Sequence, residues 1–135
     1  MGMTTEALRE DRMRLLLDTH VFLWWRINHI MRPDAMDAIR GADEVFVSAA
    51  SAWEVAIKAA AGKLRLDAVF ADGVAASGFE ALPIDCLHAA AAAELPPHHR
   101  DPFDRMLVAQ ARVERLTLVT HDRQLEPYGG AIIWA

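Results

Sequence analysis

The sequence predicts a layered α/β domain around a central, mostly parallel sheet of five strands. Three observations predict it. Short apolar runs recur along the chain and alternate with longer segments of helical character. The intervening segments are long enough for the crossovers that parallel pairing requires. At 135 residues, 53% of them hydrophobic and 24% charged, the chain has globular usage and enough length to bury a core.

"RLLLD" (14–18) is a short apolar run ending in an acid, suited to a strand buried on both faces. "THVFLWWRI" follows as a helix, with Thr19 near its start. "RPDAMDAIRGA" carries Pro33 and Asp34 as helix-start signals and Gly41 as a stop. "EVFVS" (44–48) is the second strand, and the alanine-rich "AASAWEVAIKAAAGKL" is a helix closed by Gly62. "LDAVFADGVAASGF" reads as another helix ending near Gly78, "EALPID" as a brief third strand, and "CLHAAAAAEL" as a helix stopped by Pro96 and Pro97. In "DPFDRMLVAQARVERL", Asp101 is a natural N-cap, Pro102 suits the first helical position and Asp104 falls in the first turn. Phe103, Met106, Leu107, Gln110 and Ala111 recur at helical spacing, which makes one face largely apolar. "LTLVT" (116–120) is the fourth strand, "HDRQLEPYGG" a short helix and turn, and "AIIWA" the fifth strand.

Composition narrows the function. The net charge of −5 argues against coating of duplex DNA, which basic surfaces perform. It leaves room for a nuclease, because carboxylates gathered to hold a metal make a site negative. The single cysteine, Cys86, excludes an intrachain disulfide and a CxxC metal site. It suits a reducing compartment, so a cytoplasmic location is expected, and Cys86 itself is expected to be a small buried residue. No apolar run approaches a membrane span, and "MGMTTEALREDRM" has no apolar segment of the signal-peptide kind.

In open parallel sheets ligands gather beyond the carboxyl ends of the strands. Asp18 and Asp122 each sit at or just past such an end, Glu54 lies in the helix after the second strand, and Asp104 opens the helix before the fourth. Taken singly, each acid has an ordinary explanation. Asp18 and Asp122 can cap or begin the next element, Glu54 can pair with Lys58 at i, i+4, and Asp101 and Asp104 can serve as a cap and a first-turn charge. Taken together, Asp18, Glu54, Asp104 and Asp122 are expected to converge on one edge of the sheet. Carboxylates forced together repel, and a hard divalent cation with oxygen ligands, Mg²⁺ or Mn²⁺, stabilises them. That pattern points to phosphodiester hydrolysis.

Other chemistries lack their motifs. There is no GxGxxG, GxxxxGK[ST] or GxSxG, and the adjacent His98 and His99 have no HExxH context. These two histidines are expected to shape the loop before Asp101, His20 and His121 to make local hydrogen bonds, and Trp24, Trp25, Trp53 and Trp134 to serve as core or interface.

The blocks "LLLDTHVFLWW", "VSAASAWEVAIK", "HHRDPFDRMLVAQA" and "LVTHD", in this order and spacing, resemble a PIN-domain protein of the VapC-type toxin group. The resemblance runs over residues 13–135 and leaves residues 1–12 as a polar N-terminal extension. It implies an αβα sandwich and a magnesium- or manganese-dependent endoribonuclease. It further implies the toxin half of a type II toxin–antitoxin pair, neutralised by a cognate antitoxin through which alone the protein meets operator DNA. Carried across by position, the family's acids fall on Asp18, Glu54, Asp104 and Asp122. Asp18 and Asp104 are then the direct metal ligands, with Glu54 and Asp122 completing the cluster directly or through water. Thr120 or Ser48 is expected to orient an acid or a water. Arg26, Lys58, Arg100 and Arg105 are candidates for phosphate contact, with Arg105 alternatively neutralising the acids. The apolar faces around Trp24 and Trp25 suggest a homodimer. A metal-dependent deoxyribonuclease or phosphoesterase, and a regulatory protein that binds RNA or antitoxin without cutting, remain as alternatives.

Overall fold

The computed structural model describes residues 12–62 and 70–135. Its strands are β1 (Arg14–Leu17), β2 (Glu44–Ser48), β3 (Glu80–Leu82), β4 (Thr117–Thr120) and β5 (Ile132–Trp134). Its helices are α1 (Thr19–Arg26), α2 (Pro33–Gly41), α3 (Ala49–Ala60), α4 (Phe70–Ala76), α5 (Cys86–Glu94) and α6 (Pro102–Glu114), with a 3₁₀ turn over Arg123–Tyr128. The strands form one sheet in the order β3-β2-β1-β4-β5. Every pairing is parallel, with Leu16 of β1 in register between Phe46 of β2 and Leu118 of β4.

β1 is central, and its three leucines are fully buried. Alternation along the strand sends Leu15 and Leu17 into one core and Leu16 into the other. The first core joins them to Val21 and Phe22 of α1, Ala35 and Ile39 of α2, and Val74 of α4. The second packs Leu16 against Leu107 and Val108 of α6, with Leu125 and Tyr128 of the 3₁₀ turn. Helices therefore cover both faces, which is the αβα arrangement.

Local chemistry sets the element ends. Asp18, Ser48 and Asp101 each cap the helix that follows by accepting backbone N–H groups. Asp85 and His88 form a reciprocal capping box on α5. β3 stops at Leu82 because Pro83 has no N–H to continue the ladder. The expected strand 80–85 is shortened for that reason. Gly62, with φ of +72°, turns the chain after α3. Of the helix expected over 66–79, the described part is α4, and residues 63–69 lie outside the described residues. The expected extension 1–12 also lies outside them except for Arg12, which pairs with Glu44 at 3.0 Å.

Cys86 is exposed, contrary to the expectation that it is buried. α5 packs inward through His88, Ala91, Ala92 and the following Leu95. Those positions, at i, i+3, i+4 and i+7, define one face. Cys86 and Leu87 fall off it, and Leu87 is 69% exposed. Trp24 and Trp25 pack against the first core as expected, whereas Trp53 is 63% exposed, with its ring edge-on to Phe103.

Arg105 holds the end of α5 to α6. Its guanidinium donates to the carbonyls of Ala92 (2.9 Å), Leu95 (3.0 Å) and Pro96 (3.0 Å) and to the Tyr128 hydroxyl (3.2 Å). It thereby satisfies carbonyls left over where the proline pair ends the helix. Truncation leaves these acceptors without a charged donor. Arg105→Ala is expected to lower unfolding free energy by about 2 kcal/mol in urea titration.

Candidate active site

β1 and β4 end side by side, and their exits place the first acids. The Asp18 N–H continues the ladder to Val119 O at 3.0 Å, which fixes the backbone of Asp18 against β4. One carboxylate oxygen of Asp18 caps α1 by accepting from Val21 N–H at 2.8 Å. The other accepts from the Thr120 hydroxyl. Thr120 Oγ1 in turn accepts from Asp122 N–H at 3.0 Å, so one hydroxyl at the end of β4 aligns two acids. Asp122 caps the 3₁₀ turn through its Oδ1.

Glu54 arrives from α3 and is buried. The Thr19 hydroxyl donates to its Oε1 at 2.7 Å and also lies 2.8 Å from Ser51 Oγ. Lys58 pairs with Oε2 at 3.0 Å, so the ordinary i, i+4 pair and the inward placement hold together. Asp104 stands in the first turn of α6, above the Asp101 cap. His99 bridges the last two acids, with its Nε2 3.0 Å from Asp104 Oδ2 and 3.1 Å from Asp122 Oδ2. The Asp101 N–H faces His99 Nδ1 at 3.4 Å, which leaves Nε2 as the protonated nitrogen pointing at the carboxylates.

Asp18, Glu54, Asp101, Asp104 and Asp122 line one pocket of about 280 Å³, together with His20, Lys58, His121 and Arg123. Burial raises the pKa of Asp18, against the hydrogen bonds from Thr120 and Val21 that lower it. Burial likewise pushes Asp104 up to about 7, helped by Asp101, Asp18 and Asp122 and opposed by His99. A second pocket of about 310 Å³, between α6 and the β4–β5 edge, is lined without a carboxylate or histidine.

The donors in that pocket fit a hard divalent cation. They are the carboxylate oxygens of Asp18, Glu54, Asp101, Asp104 and Asp122, and oxygens of Asp104 and Asp122 lie within 4.8 Å of each other beside His99. A cation arriving there relieves the same repulsion that raises Asp104.

Of the expected basic contacts, Lys58 lines the pocket and the arginines do not. Arg26 donates to Ser77 at 3.3 Å on another face, Arg100 is exposed in the loop before α6, and Arg105 spends its donors on carbonyls rather than on the acids. Of Thr120 and Ser48, it is Thr120 that meets an acid. Ser48 caps α3 and donates to the buried Gln110 at 2.5 Å, while Thr120 and Thr19 orient the acids. His20 and His121 meet edge to face, with centroids 5.6 Å apart. Sequence reasoning assigned His99 only to the loop before Asp101 and passed over Arg123. Nothing in "HHRD" distinguishes the imidazole that turns inward from its neighbour. Arg123 adjoins Asp122 in sequence but is placed by Trp134, whose ring its guanidinium covers at 3.9 Å.

The PIN domain family model matches residues 15–130. The fold is similar to a chain in the crystal structure of VapBC2 from Rickettsia felis bound to a DNA fragment from the promoter. The TM-score is 0.66 at 15% identity, covering 90% of this chain and 98% of that one. A chain of DNA-bound VapBC from Salmonella typhimurium aligns with a TM-score of 0.64 at 18% identity, covering 90% and 98%. A chain of FitAcB from Neisseria gonorrhoeae gives 0.60 at 20% identity, covering 88% and 96%. No curated protein matches the sequence.

Proposed function

The chain belongs to the PIN-domain family, and from that premise we propose that it is a metal-dependent endoribonuclease, the toxin of a toxin–antitoxin pair. The observation that carries the reading is the meeting of Asp18, Glu54, Asp104 and Asp122, from four different elements, in one pocket at the carboxyl edge of the sheet. Asp18 and Asp104 would hold Mg²⁺ or Mn²⁺, with Glu54 and Asp122 completing the cluster. When bound, the ion supplies Lewis-acid activation of water and of a phosphoryl oxygen.

The chain's own residues do the rest. Asp104, raised to about 7, gives up its proton readily as positive charge approaches near neutral pH. His99 presents an N–H between Asp104 and Asp122 and keeps both oxygens aimed inward. Lys58 offsets Glu54, and Arg123, stacked on Trp134, offers a planar cation at the rim for a phosphate. RNA with unpaired bases suits an open pocket of this kind.

Thr120→Val removes the donor that orients Asp18 while leaving a side chain of similar shape. It is expected to weaken Mn²⁺ binding about 10- to 100-fold by calorimetric titration.

The neighbours of known structure that are described as VapBC complexes support a partner antitoxin for this chain, with DNA reached only through it. The exposed Trp53, Ile57 and Leu87 offer apolar surface for a homodimer.

The deciding experiment incubates the protein with RNA, single-stranded DNA and a small phosphodiester, in Mg²⁺, Mn²⁺ or chelator. Metal-dependent internal cuts in RNA alone are expected. Cleavage of DNA or of the small ester instead would identify a different phosphodiesterase. Binding of RNA with no cleavage of any substrate would identify a regulatory protein.

A further inference from the structure

Beside the acidic pocket four aromatic rings cluster, His20, His121 and Trp24 in a triangle with centroids 5.6, 4.6 and 6.5 Å apart and His29 beyond Trp24. His20 and His121 line the pocket itself. His121 lies 4.6 Å from Trp24, centroid to centroid, and Trp24 lies 5.0 Å from His29. Helix periodicity explains the first contact on α1, because His20 and Trp24 are one turn apart and share a face. The chain then reverses at Asn28, whose φ is +56°, and His29 N–H donates to Trp24 O at 2.9 Å. That turn lays the His29 ring back over the indole. His20, His29 and His121 are exposed, and Trp24 is half-buried.

The cluster leads somewhere. His29 also lines a groove of about 610 Å³ whose lining includes Arg26, Asn28 and Arg40 and no carboxylate. Acids for a metal-held phosphate, exposed imidazoles packed about a half-buried indole and then a cationic groove follow one another across the surface. Single-stranded nucleic acid presents the complementary series of phosphate, base and phosphate. Peptides lack the repeating anion that the groove would meet.

We propose that His121, His20, Trp24 and His29 form a stacking platform for bases of single-stranded RNA flanking the cut phosphate, and that Arg26 and Arg40 receive the backbone beyond it. This assignment deepens the ribonuclease reading and rests on it for the identity of the strand. The platform works through ring faces, so it tolerates any base and favours purines, whose faces are larger.

The test is fluorescence anisotropy with two probes of equal length, an oligoadenylate and an abasic ribose–phosphate oligomer, in calcium buffer. Wild type is expected to bind the oligoadenylate about tenfold tighter, the worth of one stacked base. His121→Ala and His29→Ala, both at exposed positions, are expected to erase most of that preference. His121→Phe and His29→Phe are expected to retain it, because they keep a ring and lose the nitrogens. Equal binding of the two probes by wild type overturns the platform, as does an undiminished preference in the alanine variants or failure of phenylalanine to rescue. A wild type that cuts RNA yet shows no base preference sinks the platform alone. A ring-dependent preference in a protein that cuts no RNA keeps the platform and sinks the ribonuclease reading.

Discussion

Asp104→Asn is expected to lower the proposed magnesium-dependent RNA cleavage about 10³-fold and, in chelator at pH 8, to raise the thermal midpoint by about 5 °C. The first effect follows from the loss of a ligand to a cation whose charge stabilisation is worth several kcal/mol. The second follows from linkage. Asp104 has an ordinary value of 3.8, raised to about 7 in the folded protein by burial and neighbouring acids. A carboxyl raised in this way contributes stability that is whole below about pH 4 and is lost as pH rises through about 7. The metal-free protein is therefore expected to melt lower at pH 8 than at pH 5. Asparagine carries no charge and removes the part of the slope due to Asp104, while Asp18, also raised by burial, keeps some of it. Mg²⁺ or Mn²⁺ should raise the wild-type midpoint more at pH 8 than at pH 5. Calorimetry in chelator at both pH values checks each sign, with a shift of about 5 °C corresponding to roughly 1–2 kcal/mol in a domain of this size. Equal cleavage by wild type and Asp104→Asn, or a midpoint lowered by the substitution at pH 8, would contradict the site.

Asp18 separates two duties that one carboxylate performs. One oxygen caps α1 and the other meets the Thr120 hydroxyl at the pocket. Asparagine is as good a cap as aspartate but brings no charge to a cation. Asp18→Asn is expected to lose about 10³-fold in cleavage, the worth of several kcal/mol of charge stabilisation. It should fold as a capped protein. Asp18→Ala is expected to lose as much activity and to be about 1 kcal/mol less stable than Asp18→Asn, because Val21 N–H loses its partner. Urea unfolding of the pair reads the cap, and an RNA cleavage assay reads the site. Matching stabilities in the two variants would deny the cap, and wild-type cleavage by Asp18→Asn would deny the ligand.

The sheet was legible in the sequence because its strands are short apolar runs, and "RLLL" and "TLVT" are buried on both sides. The acids were legible for a related reason, since Asp18 and Asp122 follow strands whose ends the topology brings together. What spacing does not encode is side-chain choice at long range. Ser48 and Thr120 both close a strand, yet only Thr120 turns toward an acid, because Ser48 faces Gln110 of α6. Arg105 is adjacent to Asp104 in sequence, but the helix carries it to the carbonyl end of α5. His99 becomes visible only once the loop before α6 closes over Asp122. Cys86 was misplaced because an alanine-rich helix carries no hydrophobic stripe to show which side turns inward.

β3 and β5, the strands at the two margins of the sheet, are three residues long, and Pro83 follows the first of them directly. A margin that short offers few free N–H and C=O groups to a second molecule, and proline withholds one more. Polymerisation by strand addition is thereby discouraged even at high concentration. A second copy of the chain would have to dock through helices and side chains rather than by extending the sheet.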